Sequence, residues 1–246
     1  MNLTSKTQID RLGDRLRKGN VGDEELQQLD EFRRSFAGAY EEVIAVVRRA
    51  TKLEPTGRPA KSTTSIVEKL HRETMRLSQM QDIAGCRLVV HDIVKQNQVV
   101  EQLKETLLSA TVMDRREQPS HGYRAVHIIA TAQGKPVEIQ VRTELQHLWA
   151  QLSEKTSDVF DPGIKYGGGD PDVFGAISKI SERIETLETL ELSIGRLERR
   201  SKRSPGLRRR WRRLAENFDR DKKRFRQGLE RVIPMIEGPP EKQAGD

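Results

Sequence analysis

The spacing of hydrophobic residues changes twice along this chain, and that change limits the folds it can adopt. From residue 65 to about residue 145, short apolar runs with strand spacing alternate with helical segments. The residues on either side have helical spacing throughout. This order predicts an α+β fold, with a mixed sheet flanked by N-terminal and C-terminal helices.

The flanking helices are predicted from apolar residues that recur every three or four positions. Before the core we expect a short helix around residues 9–16 and one long helix over residues 26–47. After the core we expect a helix over residues 177–197 and another over residues 211–229, with an interruption at Ser204-Pro205-Gly206. Either a second helix of the same chain or a second subunit could cover the apolar stripe of residues 177–197.

The core is predicted to hold a buried strand at CRLVV and three more strands at residues 111–117, 123–132 and 136–143. Helices are expected over residues 65–76, 94–108 and 145–152. The predicted organisation is N-terminal helices over 1–54, a core over 55–157, a C-terminal helical region with a basic segment over 158–237, and a disordered tail over 238–246.

Composition excludes several classes of protein. No apolar run reaches the length of a membrane span, and the N-terminus MNLTSKTQID lacks the hydrophobic region of a signal peptide, so we expect a cytoplasmic protein. The single cysteine, Cys86, excludes an internal disulfide and is expected to be a small buried residue. The five histidines show no metal-ligand spacing.

The net charge of +7 is concentrated near the C-terminus. Residues 196–226 contain fifteen Lys and Arg but only four Asp and Glu, so the rest of the chain has a net charge of −4. Such a run is typical of a solvated helix face or a subunit contact, but clustered arginines are also typical of a surface that binds phosphates or nucleic acid.

Polar residues alternate with apolar ones in the segment VEIQVRT, residues 137–143. A pleated strand would place Val137, Ile139 and Val141 on one face and three polar side chains on the other. These polar residues are Glu138, Gln140 and Arg142. The polar face could simply meet water, or it could line a functional cleft.

Three further segments contain candidate site residues. GRPAKSTTSIVEKL brings Arg58, Lys61, Ser65 and Lys69 close to the start of a helix, where backbone N–H groups favour a polyphosphate. MQDIAGCRLVV places Asp82 just before a buried strand, as a helix cap or a metal ligand, and Arg87 within that strand.

In the third segment, HGYRAVHIIA, Tyr123 and His127 would share one face of a strand. There they could stack on a base and contact phosphate, or merely pack. Asp82 and Glu138, on adjacent strands, would supply the two carboxylates that hold Mg²⁺ at a phosphoryl-transfer centre, with the nearby cations neutralising the transferred group.

The order of these segments resembles the RelA/SpoT-type (p)ppGpp synthetase family, in particular its small single-domain alarmone synthetases. A cationic stretch is followed by SIVEKL, DIAGCR, GYRAVH and EIQVRT, over roughly residues 55–155. The resemblance implies a nucleotidyltransferase-like mixed sheet and a reaction in which a nucleotide 3′-hydroxyl attacks the β-phosphorus of ATP. Pyrophosphate is transferred as a unit and AMP leaves.

The resemblance also implies a role for each candidate residue. Asp82 and Glu138 would hold Mg²⁺, and Glu138 would orient or deprotonate the attacking hydroxyl. The implied ATP-binding residues are Arg58, Lys61, Ser65, Lys69 and Arg87. The implied acceptor-binding residues are Tyr123, which would stack on the base, with His127 and His121, and the supporting residues are Gln140 and Arg142.

Several positions depart from the family pattern. The usual Arg-x-Lys is one residue longer here, as Arg58-Pro59-Ala60-Lys61. Members that use guanine nucleotides usually carry a lysine and an asparagine where this chain has Pro119 and His121, and the usual Glu-His after the tryptophan reads Ser153-Glu154. The histidine and aspartate motifs of the family's hydrolase domain are not found, so no hydrolase domain is expected.

Three functions follow from this pattern. The first is a synthetase of guanosine or adenosine 3′-pyrophosphates, expected to be a homo-oligomer that uses GTP, GDP or an adenine nucleotide as acceptor. The second keeps the chemistry but modifies the 3′ end of tRNA, as some toxic small members do, with the basic C-terminal helix binding tRNA phosphates. The third is a regulator that binds nucleotide or RNA without catalysis, against which the intact Asp82 and Glu138 argue.

Overall fold

The computed structural model describes residues 5–19, 21–201 and 205–236. The helices are α1 (Lys6–Arg17), α2 (Asp23–Arg34), α3 (Ala37–Thr51), α4 (Thr63–Arg72), α5 (Ile93–Thr106), α6 (Glu144–Val159), α7 (Pro171–Ser201) and α8 (Pro205–Met235). The strands are β1 (Thr56–Arg58), β2 (Ala84–Val90), β3 (Thr111–Asp114), β4 (Val126–Ala132) and β5 (Lys135–Thr143). Short 3₁₀ helices lie at Leu77–Gln79 and Ile164–Tyr166. The α+β fold class is confirmed.

The strands form one sheet in the order β1-β2-β5-β4-β3, so β5, which contains VEIQVRT, is central. β1 and β2 are antiparallel, with Gly57 opposite Cys86. β4 and β5 are joined by Gln133 and Gly134, whose φ angles of 50° and 70° suit the tight turn of a hairpin. β5 has neighbouring strands on both sides, and its residues 137–139 and 141–143 are buried.

The chain divides into two compact units. The first contains Met1–Leu88, Val99–Met113 and His127–Val141, and the second contains Val89–Gln98, Asp114–Val126 and Arg142–Asp246. The predicted tail, residues 238–246, lies outside the described residues.

In the first unit, the long helix predicted over residues 26–47 is wrong, because the chain forms two helices there. α2 ends at Arg34 and α3 begins at Ala37. At the break, the Ser35 hydroxyl donates to the carbonyl of Phe32 at 2.6 Å, competing with the helical hydrogen bonds. Phe32 and Phe36 then pack edge to face, with ring centroids 5.2 Å apart. Apolar spacing continues across the break, which explains why periodicity alone predicted a single helix.

In the second unit, α6, α7 and α8 pack against one another. The apolar stripe of α7 is divided: Ile177, Ile184 and Leu187 are buried in this helical core, whereas Leu190 and Leu197 remain 45% and 44% exposed. A helix of the same chain therefore covers the first part of the stripe but not the last. Of the predicted interruption, Ser204 lies outside the described residues, and Pro205 and Gly206 begin α8, where proline is well tolerated.

No helix among the described residues combines the length and the apolar character that crossing a membrane requires.

Candidate active site

Two lysines hold the carboxylate of Asp82 in the first unit. Lys61 Nζ lies 2.5 Å from Oδ2, and Lys69 Nζ lies 2.9 Å from Oδ1. The three side chains are only 12% (Lys61), 19% (Lys69) and 15% (Asp82) exposed. Arg58 adds a third cation and donates to the backbone carbonyl of Asp82 at 3.1 Å. Asp82 is thus the centre of a compact cationic cluster.

The charges in this cluster change the acidity of its members. Burial by itself would raise the pKa of Asp82, but the charges and hydrogen bonds of Lys61 and Lys69 outweigh it and lower that pKa to about 2. Burial lowers the pKa of Lys61, while Asp82 opposes that change. Asp82 therefore stays ionised at neutral pH and remains available to cations.

Local structure explains why these cations converge. Ser62 caps α4 by accepting a hydrogen bond from the backbone N–H of Ser65, which starts the helix directly after Lys61. Lys69 lies in the last turn of α4. The backbone N–H of Lys61 donates to the carbonyl of Ile83 at 2.6 Å, which holds this loop beside the approach to β2. Ser65 contacts the cap residue Ser62 and supports the helix start.

Glu138, also in the first unit, is a more deeply buried carboxylate than Asp82. His127 Nδ1 lies 2.7 Å from its Oε1, and the amide of Gln140 donates to its Oε2 at 2.7 Å. Burial would raise the pKa of Glu138, but His127 and Gln140 together lower it, and the charge of Asp82 acts in the opposite direction. Glu138 is thus ionised at neutral pH and within the electrostatic influence of Asp82.

β2 and β5 approach each other closely beside these carboxylates. A Cβ atom at Gly85 would lie 2.6 Å from the backbone oxygen of Glu138, so only glycine fits there without a shift. Two residues further along β2, Arg87 Nε lies 3.5 Å from Gln140 Oε1. Between them, Cys86 is buried as predicted, and burial, with a smaller contribution from Glu138, raises the pKa of its thiol to about 12.

Tyr123 belongs to the second unit and does not lie on a strand. β4 begins only at Val126, so the prediction that Tyr123 and His127 share one strand face is wrong. Tyr123 closes a tight turn with Ser120 instead. Arg142 donates to the Tyr123 hydroxyl at 2.8 Å and places its guanidinium carbon 4.9 Å from the ring centroid. Arg142 therefore fixes the position of this ring.

Sequence reasoning missed the residues that anchor this turn. The guanidinium of Arg124 is buried and bonds to Ser181, to Glu185 and to the carbonyl of Arg116. The Ser181 hydroxyl donates to the carbonyl of Gly122 at 2.6 Å. An arginine at the start of the largely apolar segment RAVHIIA was the available signal, because a buried guanidinium requires partners from elsewhere in the fold.

The turn from Ser120 to Tyr123 also requires positive φ angles at its two central residues. His121 and Gly122 have φ angles of 52° and 87°, and a Cβ at Gly122 would meet the Trp149 ring at 2.8 Å. His121 is exposed, and its ring lies against Gly167, where a Cβ would be 2.2 Å from Nδ1. His121 thus packs on the glycine-rich loop that follows α6.

The residues predicted to hold magnesium fit that ion in their chemistry. Asp82 and Glu138 are both ionised, because hydrogen bonds and charges from their neighbours lower the pKa of each. The charge of Asp82 opposes part of this lowering at Glu138, a repulsion that a cation would relieve. No three His, Cys, Asp or Glu side chains in the described part of the chain converge on a point that could hold a metal ion. Two carboxylates are enough for Mg²⁺, because this ion commonly binds one or two carboxylates and completes its coordination shell with water and substrate phosphates.

Comparison with known families finds a match over the middle of the chain. The model of the family described as the region found in RelA and SpoT proteins matches residues 57–157. Residues 57–157 of this chain are therefore similar to the RelA/SpoT region. Every predicted site residue lies within the matched segment, from Arg58 to Arg142. The N-terminal helices α1 to α3, and α7 and α8, lie outside the RelA/SpoT match.

Curated relatives of this chain occur in mycobacteria. Uncharacterised proteins of Mycobacterium tuberculosis and Mycobacterium bovis are each 36% identical to it over 121 residues. The aligned segment covers 48% of this chain and 44% of each relative, so it spans less than half the length of these relatives.

Solved structures of small alarmone synthetase 1 from Bacillus subtilis share the fold. One superposes with a TM-score of 0.55 at 26% identity, covering 71% of this chain and 98% of that one. The same enzyme bound to its product pppGpp gives 0.54 at 26% identity, covering 68% and 96%. Bound to AMPCPP it gives 0.51 at 25% identity, covering 71% and 99%.

Proposed function

We propose that this protein is a nucleotide pyrophosphokinase that transfers the β,γ-pyrophosphate of ATP to the 3′-hydroxyl of a guanosine or adenosine nucleotide, making (p)ppGpp-like alarmones in the cytoplasm. The observation that carries the proposal is the arrangement around Asp82 and Glu138, one carboxylate largely buried and one buried, which both stay ionised in a segment that matches the RelA/SpoT region. A purely regulatory binder would have no need to withdraw both charges from water at a cost in desolvation.

The donor side of the reaction is assigned to the cationic cluster. Lys61 and Lys69 neutralise Asp82, and we propose that the same two lysines bind the phosphates of ATP, with Asp82 among the residues that would hold Mg²⁺. Arg58 and Arg87 add charge on the same unit, and Ser65 supports the start of α4. AMPCPP bound to the related Bacillus subtilis enzyme supports an ATP site.

Glu138 is the residue best placed for proton transfer in this proposal. Its pKa is lowered, so it is unprotonated at neutral pH and able to orient or accept the proton of the attacking 3′-hydroxyl. His127 and Gln140 fix its two oxygens in position. Bound Mg²⁺ would supply charge neutralisation for the transferred pyrophosphoryl group.

The acceptor side is assigned to Tyr123, His127 and His121. Tyr123 would stack on the acceptor base through the ring face opposite Arg142, which holds the ring from one side. The histidines would contact acceptor phosphates. The complex of the Bacillus subtilis enzyme with pppGpp supports a guanine nucleotide as the acceptor, whereas Pro119 and His121 depart from the residues usual in members that use guanine nucleotides.

Transfer to tRNA is the second candidate, and one feature favours it. Five arginines within six positions of α8 are all exposed: Arg208, Arg209, Arg210, Arg212 and Arg213. Such a surface can bind the phosphates of a folded RNA. A subunit contact would explain the same residues, so we place the free nucleotide first.

The test is a transfer assay with γ-labelled ATP and Mg²⁺. GTP, GDP, GMP, ATP and deacylated tRNA are supplied separately, and the labelled product is identified. Label in a guanosine or adenosine 3′-pyrophosphate supports the first candidate, and label at a tRNA 3′ end supports the second. Label in no acceptor, from protein that binds ATP, would overturn the proposed reaction.

A further inference from the structure

Arg33 connects an N-terminal helix to the proposed donor site. It lies in the last turn of α2, and its Nε donates to the backbone carbonyl of Lys61 at 2.7 Å. The Nη1 atom of the same guanidinium lies 3.3 Å from Oδ1 of Asp30, one turn earlier. Both Arg33 and Lys61 belong to the first unit, but Arg33 lies outside the RelA/SpoT match at residues 57–157.

Lys61 needs such support because of where it lies in the chain. Residues 59–62 belong to neither a helix nor a strand, so no regular backbone pairing holds them. Instead, the Lys61 N–H donates to Ile83 at 2.6 Å and the Lys61 carbonyl accepts from Arg33. With its backbone held from both sides, the Lys61 side chain reaches the Asp82 carboxylate at 2.5 Å.

We propose that Arg33 is a positioning residue for ATP binding, acting through Lys61. This inference rests on the proposed function in that Lys61 is taken to contact the phosphates of ATP. A lysine held in place before ATP arrives loses little conformational freedom on binding, and this preorganisation tightens binding although Arg33 itself does not touch the nucleotide. Arg33 therefore affects the donor nucleotide and leaves the acceptor site unaffected.

The test compares Arg33→Ala with Arg34→Ala in the full chain. Arg34 is the matched control, because it pairs with the same Asp30 but has 69% of its side chain exposed. For Arg33→Ala we expect a rise of roughly tenfold in the KM for ATP, the scale of losing a hydrogen bond from a charged group, with the acceptor KM within about twofold of wild type. Arg34→Ala should leave both constants within about twofold of wild type.

A double-mutant comparison with Lys61→Ala distinguishes a positioning role of Arg33 from a merely structural one. If Arg33 acts through Lys61, Arg33→Ala should weaken ATP binding no further once Lys61→Ala is present. Equal weakening in both backgrounds would overturn the inference. Should Arg33→Ala fail to fold, Arg33→Lys serves instead, since it keeps a charge beside Asp30 but lacks the Nε–H that bonds to Lys61.

Binding of the ATP analogue AMPCPP, measured by calorimetry without an acceptor, keeps this inference separate from the proposed function. Weaker binding by Arg33→Ala but not by Arg34→Ala supports the role of Arg33, whether or not the wild type transfers pyrophosphate. Unchanged AMPCPP affinity in a folded Arg33→Ala or Arg33→Lys protein would overturn it, even if transfer to a nucleotide is demonstrated.

Discussion

Lys61 and Asp82 form a nearly buried ion pair, with Nζ 2.5 Å from Oδ2. Lys69 occupies the other oxygen of the same carboxylate. The charges proposed to bind ATP and magnesium thus neutralise one another. This keeps a carboxylate ionised in a buried position, since burial without partners would favour its protonated form.

Removing either carboxylate charge should abolish transfer. We expect Asp82→Asn and Glu138→Gln each to retain less than about a tenth of the wild-type rate, because a lost charge at a phosphoryl-transfer metal site removes several kcal/mol of transition-state stabilisation. Initial rates with γ-labelled ATP measure this, and circular dichroism checks that each variant folds. A folded variant above that limit would refute the catalytic assignment.

Tyr123→Ala should weaken use of the acceptor far more than binding of ATP. Stacking on a base contributes about 1–3 kcal/mol, which corresponds to a rise of roughly 5- to 150-fold in the acceptor KM. Tyr123→Phe is the matched control, since it keeps the ring and loses only the hydrogen bond from Arg142. If ATP affinity fell instead, the donor and acceptor assignments would have to be exchanged.

The buried carboxyl of Glu188 should cause the free energy of unfolding to decrease as the pH rises. Burial raises the pKa of this carboxyl, opposed by hydrogen bonds from Thr143 and Gln146 and by the charge of Arg116, while Glu191 adds to the rise. The pKa of Glu188 is higher in the folded protein than in the unfolded chain. Between these two pKa values the folded protein binds more protons than the unfolded chain, so the free energy of unfolding decreases as the pH rises through this range.

Glu188→Gln should reduce this pH dependence. Denaturant unfolding of the wild type and of Glu188→Gln between pH 4 and pH 8 measures the effect, and we expect a smaller decrease with rising pH in the variant. Glutamine keeps an oxygen that can accept from Thr143, so the hydrogen-bonded core is disturbed little. Parallel pH profiles for the two proteins would contradict the prediction.

We expect a homo-oligomer in solution. Leu190 and Leu197 remain nearly half exposed at the end of the α7 stripe, and a second subunit could cover them. Multi-angle light scattering at micromolar concentration should give more than the monomer mass of 28.1 kDa. A monomer under these conditions would be evidence against oligomerisation.

The exposed arginines of α8 distinguish the two candidate acceptors. If tRNA is the acceptor, changing Arg209 and Arg213 to Glu should strongly suppress its modification and flatten the salt dependence of binding. The logarithmic slope should change by up to about 0.9 for each phosphate that the variant no longer binds. If a free nucleotide is the acceptor, the double variant should modify it at a rate within a few-fold of the wild-type rate. Light scattering of the double variant excludes loss of an oligomer as the cause, and we expect near-normal nucleotide transfer from an intact assembly.

The sequence by itself determined the order of helices and strands in the core and the candidate residues of the site. Strand alternation in VEIQVRT identified β5, and Cys86 was correctly expected to be buried. These predictions succeeded because local periodicity and the order of short polar segments depend on neighbouring residues alone. That the polar face of β5 is largely buried could be learned only from the tertiary structure, in which this strand lies at the centre of the sheet.

Only the tertiary structure decided which side chains support the candidate site. The break between α2 and α3 depends on the Ser35 hydroxyl, which donates to the carbonyl of Phe32, and on the packing of Phe32 against Phe36. The hydrogen bonds of Arg33 with Lys61 and of Arg124 with Ser181 join residues 28 and 57 positions apart in sequence. A hydrogen bond between distant residues leaves no periodic trace in a single sequence, because its geometry depends on how whole helices and strands pack.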